Sequence, residues 1–134
     1  MQKQVRVVVD AMGGDNAPEE IVKGAVEAAA SRKDIQIIFT GREEVIKQEL
    51  AKYEYPAERV SIVNATEVIE TAEPPVNAIR KKKDSSIVVG MNLVKKKEAD
   101  AFVSSGSTGA VLVGGQVIVG RIKGVERPPL APLI

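Results

Sequence analysis

Short β-branched runs alternate with segments of helical period along this chain, and few folds accept that order. Residues 5–9, Val-Arg-Val-Val-Val, read as a strand, and residues 10–17 supply turn chemistry. Pro18 then suits the first helical position, because its missing N–H would have no intrahelical partner there. Ile21, Ala25, Ala28 and Ala29 keep helical spacing, while Glu19, Glu20, Lys23 and Glu27 share the opposite face. The unit repeats with a strand over 35–40 closed by Gly41, a helix over 43–52 and a strand over 60–63. Two shorter helices are expected over about 75–82 and 85–97, then a strand over 101–104 and a buried helix over 108–119. Alternation of this kind implies parallel βαβ units. The strands are nearly all apolar, as a sheet covered by helices on both faces requires. The expected fold class is α/β, a three-layer α/β/α arrangement around a mainly parallel sheet.

The 134 residues are enough for one domain with its own core. Nineteen basic against eighteen acidic residues leave a net charge of +1, so no global field recruits nucleic acid. Aromatic residues make up only 3%, too few for a base-stacking surface. The chain contains neither Cys nor His, which excludes a thiolate nucleophile, a Cys/His zinc site and a Ser-His-Asp triad built from these residues alone. The longest apolar stretch, residues 110–120, is shorter than the about 20 residues a bilayer span needs. With no signal-like segment at the start, the chain reads as cytoplasmic. The apolar last residues, Pro-Pro-Leu-Ala-Pro-Leu-Ile134, read as a longer protein cut short.

Two turns concentrate the residues that can do chemistry. The first is Asp10-Ala-Met-Gly13-Gly14-Asp15-Asn16-Ala-Pro18. In an open parallel sheet, ligands bind beyond the carboxyl ends of the strands, where this turn lies. Gly13 and Gly14 let backbone approach a ligand closely, and Asp10 and Asp15 can orient a bound group. The alternative is that Asp15 or Asn16 simply caps the following helix. The second turn is Ser104-Ser105-Gly106-Ser107-Thr108-Gly109-Ala110, between an apolar strand and an apolar helix. Amides at a helix N-terminus, helped by hydroxyl donors, form an anion site. The turn lacks the Gly-Lys-Ser/Thr of a Walker loop and the G-x-G-x-x-G dinucleotide fingerprint. Its alternative is a Ser/Thr cap with no ligand. The basic runs at residues 80–83 and 95–97, and Arg121, Lys123 and Arg127, are solvated helix ends or contacts for a phosphate or an acidic partner.

Four ordered blocks resemble one family, the bacterial acyl-acyl-carrier-protein:phosphate acyltransferases (PlsX). They are residues 7–18, residues 78–86 (Ala-Ile-Arg-Lys-Lys-Lys-Asp-Ser-Ser), residues 99–110 and residues 119–128 (Val-Gly-Arg-Ile-Lys-Gly-Val-Glu-Arg-Pro). Ser107 stands where that family more usually has Asn. Family members are more than twice as long, so the resemblance makes residues 1–134 their N-terminal α/β portion. It implies a fold similar to isocitrate and isopropylmalate dehydrogenases, a homodimer, peripheral membrane contact, and no metal or organic cofactor. The implied reaction moves a fatty acyl group from acyl carrier protein to inorganic phosphate. On that reading Asp10, Asp15, Arg80 and Arg121 are the catalytic candidates. Gly13, Gly14, Ser105, Gly106, Ser107, Thr108 and Gly109 would hold phosphate or substrate, and Lys81, Lys82, Lys83, Lys123 and Arg127 would meet the carrier protein. The chemistry suits a chain without Cys or His, because phosphate is itself the nucleophile and a thioester carries a good leaving group. Positioning and oxyanion stabilisation are then the protein's tasks. The alternatives are a phosphotransacetylase-like fragment and a non-catalytic anion-binding or dimerisation module.

Overall fold

Hydrogen bonding joins the four apolar runs edge to edge, all in one direction. The computed structural model describes residues 4–120. Strands β1 (Val5–Asp10), β2 (Ile35–Gly41), β3 (Val60–Asn64) and β4 (Ala101–Val103) form one parallel sheet in the order β3-β2-β1-β4. Registry places Val9 beside Phe39 on one side and beside Val103 on the other. The helices are α1 (Glu19–Ser31), α2 (Glu43–Leu50), α3 (Pro75–Lys81), α4 (Ser86–Lys95) and α5 (Thr108–Gly114), the last running on into a π-type segment, Gly115–Val119.

Side chains alternate across the strands and build a core on each face. On one face Val9, Ile37 and Phe39 meet Val22 and Val26 of α1 and Ile46 and Leu50 of α2. On the other, α4 lies against Val8 and Phe102, so close at Gly90 that a Cβ there would come within 2.5 Å of Phe102. Beyond α4, Ile79 of α3, Met91 of α4 and Ala110 of α5 form a second apolar cluster. A buried hydrogen bond from the Thr40 hydroxyl to the Ser86 carbonyl, 2.9 Å, ties β2 to the start of α4. The result is the three-layer α/β order expected from the alternation.

Three local expectations are corrected. Pro18 precedes α1 at the cap position, with the Val22 N–H donating to its carbonyl at 2.9 Å. Helix α1 buries Val22, Ala25, Val26 and Ala29, and leaves Ala28 exposed, because the sheet lies under that arc of the helix. The helix expected over 108–119 is buried only at Ala110 and Gly114. Its outer side chains Leu112 and Val117 are exposed, since among the described residues only α3 and α4 pack against it. No helix among the described residues is long and apolar enough to cross a membrane.

Candidate functional site

Parallel pairing determines what stands at the carboxyl end of the sheet. With Val9 beside Val103, the next residues of the two strands are Asp10 and Ser104, and they touch. The Ser104 hydroxyl donates to Asp10 Oδ2 at 2.7 Å, while Asp10 Oδ1 accepts from the Met12 N–H at 3.1 Å. Asp10 is only 1% exposed. Its carboxylate therefore latches the β1 turn to the β4 turn.

Glycine makes the contact between these turns close enough to matter. A Cβ on Gly13 would lie 2.5 Å from Asp10 Oδ2 and 2.9 Å from the Gly106 nitrogen. Gly14, at φ +100°, brings its backbone against Ser105 in a conformation that costs other residues steric strain. Asp15 and Asn16 are exposed, and α1 has no side-chain cap. Its first turn instead uses backbone acceptors, including the Asn16 carbonyl for the Glu20 N–H at 3.1 Å. The helix-cap reading of Asp15 and Asn16 is thereby removed.

The second turn is partly self-satisfied. The Gly106 N–H donates to Ser104 Oγ at 3.0 Å, and the Ala110 N–H donates to the buried Ser107 Oγ at 3.2 Å, a helix cap. Among the described residues, no acceptor meets the amides of Ser107, Thr108 and Gly109. Those three N–H groups at the start of a helix are suited to a small anion. Thr108 is exposed there, and Pro75 of α3 lies so tightly over Gly109 that a Cβ would approach it within 2.6 Å.

A family profile described as fatty acid synthesis protein matches residues 5–134. The chain belongs to the fatty acid synthesis protein family. It is 55% identical over 130 residues to a phosphate acyltransferase of Clostridium beijerinckii, covering 97% of this chain and 39% of that protein. It is 54% identical over 127 residues to a phosphate acyltransferase of Halothermothrix orenii, covering 95% and 38% respectively. A phosphate acyltransferase of Alkaliphilus oremlandii is 53% identical over 129 residues, covering 96% and 38%. The chain thus spans about two-fifths of the length of these relatives.

Not every candidate residue of this family member comes to the corner. Arg80 is exposed on α3, five residues beyond Pro75 and so about 7.5 Å further along the helix. Lys81 and Lys83 are exposed beside it. Lys82 turns inward, donating to the Val68 carbonyl at 2.7 Å and pairing with Glu73, whose carboxyl it holds below the usual range. Arg121, Lys123 and Arg127 lie outside the described residues. Sequence reading passed over Ser104 as a partner of Asp10, because their contact rests on the registry of β1 with β4. It also passed over Asp84 and Ser85: Asp84 accepts from both the N–H and the hydroxyl of Thr66, and Ser85 caps α4 through the Val88 N–H at 3.2 Å. Part of the block over residues 78–86 is thus structural. Among the described residues, no group of His, Cys, Asp or Glu is arranged to hold a metal ion.

Proposed function

We propose that this chain is the N-terminal, phosphate-handling portion of an enzyme that transfers a fatty acyl group from an acyl carrier protein thioester to inorganic phosphate. The observation that carries the reading is the convergence of two glycine-bearing turns, locked by Asp10 and Ser104, beside three amides that meet no acceptor among the described residues. Phosphate held by the Ser107, Thr108 and Gly109 amides, with the exposed Thr108 hydroxyl as a further donor, attacks the thioester carbonyl carbon. A phosphate oxygen–carbon bond forms, the carbon–sulfur bond breaks, and the carrier leaves as its thiol after taking up a proton. The rigid corner supplies orientation, and amides in a fixed array need no reorganisation as charge develops. Asp10 acts here as a positioning residue. Lys81 and Lys83, exposed at the end of α3, are available to the acidic carrier.

The test extends the chain past Ile134 and supplies acyl carrier protein carrying a fatty acyl group. Release of free carrier that requires phosphate is the expected result. Transfer to coenzyme A in place of phosphate would favour a phosphotransacetylase, and no turnover would favour a non-catalytic module. The module has its own supporting observation, since the Gly106 and Ala110 amides are already satisfied by Ser104 and Ser107.

A further inference from the structure

On the face of the sheet that carries α1, a cleft of about 330 Å³ runs between that helix and β4. Val7 and Val9 form its floor, and Ile21, Gly24 and Ala28 line the helical wall. Its lining is apolar except for Glu20 of α1 and for Asp10, Ser104 and Ser105, which belong also to the corner described above. From this continuity we infer that the cleft holds the hydrocarbon tail of the acyl group whose carbonyl meets phosphate at the corner. The inference rests on the proposed acyl transfer to phosphate and adds the place where the acyl chain lies.

Three observations support that occupant. Gly24 stands in the middle of α1 with nothing within 4 Å of where a Cβ would be. Packing within the described residues does not require glycine there, and helix stability favours alanine, so what the glycine provides is depth in the cleft. The helical wall from Glu20 to Ala28 is about 12 Å long. If a methylene takes up roughly the ~30 Å³ of a water molecule, the cleft accommodates about ten of them. Finally, the cleft shares Asp10, Ser104 and Ser105 with the corner, so an apolar chain lying in it brings its polar end to that corner.

The experiment titrates the chain with inorganic phosphate and with butyl, octyl and dodecyl phosphate below their micelle concentrations, using calorimetry. Affinity is expected to rise by up to about fourfold for each buried methylene until the cleft is filled. Gly24→Leu should flatten this dependence on chain length while leaving inorganic phosphate binding intact. Ala28→Leu, on the same wall, serves as the second variant should Gly24→Leu fail to fold. Equal affinities along the series, or a slope that survives both variants, would overturn the inference. So would a concentration-dependent dimer that the variants dissociate without any gain from the alkyl chain, because a second copy would then occupy the cleft. A slope that the variants abolish, in a chain that binds no inorganic phosphate, would leave the cleft standing and remove the phosphate corner.

Discussion

The Asp10 carboxylate accepts from the Ser104 hydroxyl and the Met12 amide while almost fully buried. Removing it leaves two donors facing a void, and an unsatisfied buried group costs about 1–3 kcal/mol. Asp10→Ala should therefore lower the unfolding free energy measured by chemical denaturation by that amount and weaken inorganic phosphate binding, because both loops lose their shared anchor. Asp10→Asn keeps one acceptor oxygen and should lose less on both measures. Two glycines give the opposite pair of outcomes. Gly13→Ala places a methyl within 2.5 Å of Asp10 Oδ2 and 2.9 Å of the Gly106 nitrogen, so backbone must shift, at about 1–3 kcal/mol. Gly24→Ala meets open space in mid-helix and should raise stability by about 0.5–1 kcal/mol. Thermal melts of the two variants, moving in opposite directions, check both.

Among the described helices, α4 and α5 carry side-chain caps, and the cap of α4 is the more buried. Its Ser85 is fully buried and accepts from the Val88 amide, so Ser85→Ala should cost about 1 kcal/mol in equilibrium unfolding. The strands and most helix bounds were legible in advance because apolar runs of four to seven residues, closed by glycine or polar turns, leave little choice of period. The helices expected over 75–82 and 85–97 form as Pro75–Lys81 and Ser86–Lys95. What periodicity could not supply was orientation. In α1 both Val22 and Ala28 fit an apolar arc, and only the position of the sheet decides that Val22 is buried while Ala28 lines a cleft. At the site, the two turns and their glycines could be read from residue type and from their place after a strand. Their direct contact could not, since it depends on the registry of β1 with β4 across more than ninety residues. The same limit concealed Thr66 and Asp84, which are joined by the return of the chain from β3 to α4.

At the scale of the whole fold, three carboxylates on separate loops among the described residues are held below their ordinary range. Asp34, between α1 and β2, is lowered chiefly by its hydrogen bond to Arg32, Glu73 by its bond to Lys82, and Asp84 by the Thr66 hydroxyl and amide. A carboxylate that is more acidic folded than unfolded binds fewer protons when folded, so it adds stability above its unfolded pKa and loses it as pH falls through the folded one. The denaturation midpoint should therefore hold steady with respect to these groups above about pH 5 and decline below about pH 4. All three are solvent-accessible, which keeps each contribution small. Salt divides them by mechanism. Raising ionic strength should shrink the part of the acid loss due to the Arg32–Asp34 and Lys82–Glu73 pairs, because their partners are charged. The part due to Asp84 should persist, because Thr66 is neutral. Asp84→Asn should then remove most of the acid sensitivity that survives in high salt, and a midpoint profile unchanged by that substitution would place the persistent part on another group.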